Sequence, residues 1–149
     1  MRLRLSLVAA LVALAGCGDG SPTGTHFGLT LSAARARWAG AGVDSYQITV
    51  RRLCFCGFVE PVRVTVEDGV IVSRTVVATG DPVPALLAED YPDVPGLFAI
   101  VEEAAQDADD FETEFDATYG FPAVINIDWA ENYVDDEVVY RTDAFAVTP

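Results

Sequence analysis

Two stretches of this chain, Tyr46-Gln47-Ile48-Thr49-Val50-Arg51 and Val62-Arg63-Val64-Thr65-Val66-Glu67, carry an apolar residue at every second position. Side chains of a strand point alternately to its two faces, so each run predicts a half-buried strand with one face in a core and one in water. Antiparallel sheets tolerate that division, whereas parallel sheets are covered on both sides. Asp68-Gly69 follows the second run and precedes the apolar stretch Val70 to Val77, which is a hairpin signal.

The remaining pattern extends the plan. Thr30 or Ser32 can cap a helix reaching about Gly40, with Leu31, Ala34 and Trp38 on one face. Gly80-Asp81-Pro82-Val83-Pro84 breaks the sheet, and the stretch to Pro95 reads as an irregular crossover. Leu97, Phe98, Ile100, Val101, Ala104 and Ala105 give a second amphipathic helix of about ten residues. Alternation returns at Phe111, Thr113, Phe115 and Ala117 and at Ala123, Ile125, Ile127 and Trp129, and Glu137 to Val147 supplies a last strand. Both halves therefore read helix-strand-strand-strand, and Cys56-Gly57-Phe58 to Val66 echoes Tyr119-Gly120-Phe121 to Ile127. The predicted class is α+β: a two-layer fold with an antiparallel sheet of about six strands, two helices packed on one face, and a duplicated unit as one way to arrive there.

The N-terminus predicts where this domain works. Arg2 and Arg4 precede the apolar run Leu5 to Leu14, and Ala15-Gly16 are small, the three-part pattern of a secretory leader. About ten apolar residues are too few for a permanent bilayer span. Leu14-Ala15-Gly16-Cys17 looks like a bacterial lipobox, so residues 1–16 read as a signal peptide and Cys17 as the acylated mature N-terminus. The other reading is an ordinary leader, or an uncleaved anchor, with a coincidental cysteine. Residues 17–28, rich in Gly, Ser, Thr and Pro, read as a flexible tether, and 29–149 as a single domain. The expected address is the bacterial cell envelope, with the lipid on Cys17 as the membrane contact.

Charge narrows the function classes. The chain has a net charge of −14 and no lysine, and residues 81–149 hold Arg141 against eighteen acids. That field repels phosphate backbones, so no nucleic-acid partner is expected. Absence of lysine removes Schiff-base chemistry and the phosphate-binding P-loop. The one histidine, His26, falls in the tether, which weakens the case for a Ser-His-Asp or Cys-His mechanism, since either needs a histidine held rigidly in the fold. No catalytic residue, cofactor or metal is therefore assigned.

Cys54 and Cys56, two apart at the end of the first strand, project to one side and lie within reach of a disulfide. The readings for this pair are a local structural disulfide, a redox-active couple, or two thiolates of a metal site. Asp128, Glu131, Asp135, Asp136 and Glu137 form an acidic stretch without the spacing of an EF-hand loop. They are candidate binding residues for an envelope protein, a peptide or a cation such as Ca²⁺, or simply solvated turn residues. Tyr91, Trp129 and Tyr133 would line a recognition groove if exposed, and Trp129 also fits core packing.

These pieces together form a pattern. The lipobox leader, Trp38 before Tyr46, Cys54-Phe55-Cys56, Thr79-Gly80-Asp81-Pro82-Val83-Pro84, Tyr91-Pro92, Gly96-Leu97-Phe98, Tyr119-Gly120-Phe121-Pro122 and Asp135-Asp136-Glu137 resemble a family of bacterial envelope lipoproteins defined only as a domain of unknown function, number 6174. The resemblance covers residues 30 to 147. It implies a compact secreted domain and brings no activity, cofactor or catalytic residue. The function expected is thus a non-catalytic, lipid-anchored binding or structural module, with a redox protein using Cys54 and Cys56 as the alternative.

Overall fold

A computed structural model describes residues 25–27, 29–130 and 132–149. The segment read as a leader, Cys17 and Glu131 lie outside the described residues. Strands run at Thr25–Phe27 (β1), Tyr46–Leu53 (β2), Val62–Glu67 (β3), Val70–Val76 (β4), Asp110–Phe115 (β5), Pro122–Asp128 (β6) and Val138–Val147 (β7), with helices at Leu31–Ala41 (α1) and Val94–Asp107 (α2) and a 3-10 helix at Ala85–Asp90. Six strands form an antiparallel sheet, to which β1 adds in parallel along β5, giving the order β1-β5-β6-β7-β2-β3-β4.

Register explains why the alternating residues matter. Tyr46 pairs with Val66, Ile48 with Val64 and Val50 with Val62, so apolar residues meet apolar residues across the ladder. All six are buried. Burying each such side chain contributes about 1.5–3 kcal/mol, and a one-residue slip would turn the whole set into water. Asp68 and Gly69 take positive φ of 50° and 74°, the handedness that suits a tight two-residue hairpin turn between β3 and β4.

Helix ends follow the expected chemistry. The Thr30 hydroxyl accepts from the Ala33 N–H, and Gly42 closes α1 in the left-handed conformation. Asp93 caps α2 through the Gly96 N–H at 2.9 Å, with Pro95 in the first turn, where its missing N–H costs nothing. The helix therefore starts within the segment read as irregular crossover, and it runs 14 residues instead of about ten. Leu97, Phe98, Val101 and Ala104 bury its inner face, and Phe98 stacks on Phe115 of β5.

Two contacts fix the helices to the sheet. The Trp38 ring of α1 meets the rings of Tyr46, Phe121 and Phe145 edge-on. The buried Tyr46 hydroxyl accepts from the Val94 N–H at 3.0 Å, so a residue of β2 satisfies a donor at the start of α2. Burial raises the Tyr46 pKa to about 12, against the lowering effect of that bond. Gly120, at φ 84°, lies against the backbone of α1: a Cβ there would sit 2.5 Å from the Ala34 carbonyl oxygen.

One residue range departs from the expected plan. Thr25–Phe27, at the end of the segment read as tether, pair with Glu112, Thr113 and Glu114 of β5. Three residues are too few for alternation to register in a sequence.

Tyr46→Phe should leave the Val94 N–H without its acceptor and cost about 1–3 kcal/mol in denaturant unfolding. Gly120→Ala should cost at least as much, since both the positive φ and the approach to α1 oppose it. Stability equal to the parent in either variant would contradict these contacts.

Candidate functional site

Residues on the second face of β5, β6 and β7 build a hollow of about 260 Å³. Register places Glu112 opposite Asn126 and Asn126 opposite Val139, and in the next row Asp110 opposite Asp128. Glu137, just before β7, completes the lining. Asp110 and Asp128 form a cross-strand pair of like charge, an arrangement that costs stability.

Asp128 feels that environment. Partial loss of water raises its pKa above the ordinary aspartate value, and the charges of Asp136 and Glu137 push the same way, while a hydrogen bond with the Ala130 backbone opposes them. Asp136 is half-buried, and its Oδ1 has no hydrogen-bond partner among the described residues. Asp135 is exposed and takes φ 73°, a left-handed conformation that aspartate tolerates better than most residues. Of the predicted acidic candidates the structure thus brings Asp128 and Glu137 into one hollow, with Asp136 close enough to act on Asp128. The aromatic candidates separate: Tyr91 is fully buried, Trp129 packs partly against the core, and Tyr133 is 73% exposed.

A second feature lies at the same end of the sheet. Leu53 of β2 pairs with Val139, which lines the acidic hollow, and Cys54 follows directly. Cys54 and Cys56 are disulfide-bonded across Phe55, and the Cys56 N–H donates to the Cys54 carbonyl at 2.8 Å to close the turn. Arg52 points an Nη1 N–H at Cys56 Sγ from 3.7 Å and pairs with Asp90 at 3.5 Å. Arg52, Cys56, Gly57, Phe58, Leu87 and Asp90 line a recess of about 390 Å³.

Beneath it lie two buried phenols. Tyr91 is pushed up to about 12 by burial, with Arg52 pulling down, and its hydroxyl has no hydrogen-bond partner among the described residues. Tyr140 is also raised by burial, opposed by Arg52 through charge and a hydrogen bond.

A family model described as a family of unknown function, DUF6174, matches residues 30–147. The chain belongs to that family. No curated protein and no solved structure matches it. The DUF6174 match begins at the α1 cap and ends at the last residue of β7, so it includes the hollow and the disulfide and leaves β1 outside. Among the described residues, no three His, Cys, Asp or Glu side chains converge on a common point for a metal, and no helix is long and apolar enough to cross a membrane.

Sequence reasoning missed Glu112, Asn126 and Val139, and it read Asp110 only with Asp107 and Asp109, as an acidic cluster offering oxygen ligands or as solvated turn residues. Their outward positions follow from alternation, but their convergence needs the strand pairing. Arg52 carried a usable signal: it is two residues before Cys54, on the same side of an extended chain.

Because folding raises the Asp128 pKa, the ionised carboxylate is less favourable in the native protein than in the unfolded chain. The native state therefore gains relative stability as pH falls through the folded-state value, and loses it again as pH rises. Asp128→Asn should raise the melting temperature at pH 7, with the gain gone by about pH 3, where both states are protonated. A variant less stable than the parent at pH 7 would refute this.

Proposed function

We propose that this DUF6174 protein is a lipid-anchored module of the bacterial cell envelope that binds a basic protein or peptide segment through an acidic hollow, a site for binding and not for catalysis. The observation that carries the reading is the cross-strand pair of like charge Asp110 and Asp128, placed beside Glu112 and Glu137. Like charges held together cost stability, and a cationic side chain entering the hollow would relieve that cost. An arginine or lysine matches the lining, since its apolar stem can lie along Val139 while its charge meets the carboxylates. Leader and lipobox, Arg2 to Cys17, support the anchor and the address.

The architecture that presents the hollow is read as two layers, with both helices on the face that carries Tyr46 and Phe115, leaving the hollow's face open. It is also read as a duplicated helix-strand-strand-strand unit. Support comes from the sheet order, in which β2-β3-β4 and β5-β6-β7 are each a contiguous meander, and from one helix preceding each.

Two measurements test the function. Cys17→Ser should abolish incorporation of a labelled fatty acid and move the protein from the membrane to the soluble fraction; unchanged labelling would overturn the anchor. Glu112→Gln with Asp128→Asn should weaken binding of a hexa-arginine peptide roughly three- to tenfold at physiological salt. The pair Glu67→Gln and Asp68→Asn, at the β3–β4 turn, should not. Equal weakening by both pairs would reduce the hollow to part of a general acidic field and overturn the assignment.

A further inference from the structure

The Cys54–Cys56 bond closes a ring with one intervening residue, so it removes little chain entropy. It also sits on the surface: Cys56 is exposed and Phe55 between the sulfurs is 83% exposed. A bond serving only to brace the core would gain little at such a place. What it does have is a cation. The Arg52 guanidinium lies 3.7 Å from Cys56 Sγ, its Nε is buried with no acceptor among the described residues, and its position is held by Asp90 at 3.5 Å and by Tyr140.

We propose that Cys54 and Cys56 are a working thiol–disulfide couple that exchanges two electrons with a protein dithiol, and that Arg52 is the positioning residue that stabilises Cys56 as the leaving thiolate. A thiolate of the dithiol attacks Cys54 Sγ; the new S–S bond forms as the Cys54–Cys56 bond breaks, and the electron pair passes to Cys56 Sγ beside Arg52. The second thiolate of the dithiol then attacks the mixed disulfide at the partner's sulfur and releases Cys54 as a thiolate. Partner thiols end as a disulfide, and Cys54 and Cys56 end as thiols after taking up two protons. The sequence runs backwards when the partner is the disulfide.

A nearby cation lowers a thiol's pKa, and a leaving thiol of lower pKa departs faster. The recess beside Cys56, with Phe58 and Leu87 in its wall, gives a partner's apolar side chain a place to seat, and Phe55 and Leu86 are held out in water next to it. The other charged groups around Arg52 and the phenols Tyr91 and Tyr140 are Asp90, Glu60 and Glu103. Asp90 draws on the same guanidinium charge. This activity stands apart from the acidic hollow and does not need the lipid anchor.

The test uses the full chain with dithiothreitol as the dithiol probe. Reduction is followed by iodoacetamide quenching and mass measurement, and the alkylation rate of the reduced protein is followed against pH. The parent should show one thiol with a pKa below the 8.5 of a free cysteine. Arg52→Gln should raise that pKa by about one unit and slow reduction about three- to fivefold, Arg52→Lys should recover most of both, and Asp90→Asn should speed reduction. Both thiols titrating at or above 8.5 in the parent, or Arg52→Gln reacting like the parent, would overturn the proposal. If Arg52→Gln loses the fold, Asp90→Asn decides, and a rate equal to the parent's would overturn it.

Discussion

Pairing of β2 with β7 is the constraint on which the rest of the domain depends. It joins the meander β5-β6-β7 to β2-β3-β4, and without it there would be two small sheets, each with an exposed edge and too little core. The seam runs from Val147 opposite Tyr46 to Val139 opposite Leu53, with a register break between Gln47 and Thr49. On the opposing strand Ala144 takes a φ of 49°. The irregularity has a packing consequence, because Phe145 meets Trp38, Tyr46, Tyr119 and Phe121. One aromatic cluster thereby ties α1, one end of the seam strand pair and the β5–β6 turn.

The same seam determines where chemistry can be displayed. β2 ends at Leu53 opposite Val139, so the disulfide turn and the acidic hollow are carried by adjacent strands at one end of the sheet. One is a cationic corner, with Arg52 near sulfur; the other gathers carboxylates around Asp128. Strands hold such groups more rigidly than loops do, and the buried ladder Tyr46, Ile48, Val50 supplies that rigidity beneath both.

Much of this architecture was legible in residues with a strong period. Val62, Val64 and Val66 announced β3, Asp68-Gly69 its turn, and Cys54 and Cys56 their bond, because each depends on neighbours in the chain. Features that depend on distant pairing were not legible. Asp110 and Asp128 are eighteen positions apart in numbering and meet only through the β5–β6 register. Tyr91, which read as a groove residue, is buried, since Phe58 packs edge-on against its ring. β1 needs β5 to exist at all, and Pro95 looked like a helix breaker because its place in the first turn of α2 depends on the Asp93 cap.

Native-state hydrogen exchange across the β2–β7 ladder tests the central claim most directly, since it asks whether the seam opens before or with the whole. If the seam holds the domain together, its hydrogen-bonded amides exchange only through global unfolding, with an opening free energy equal to that from denaturant. Exchange of the β2 and β7 amides at a lower free energy than those of the β5–β6 ladder would contradict it, by showing two halves that separate while each remains folded.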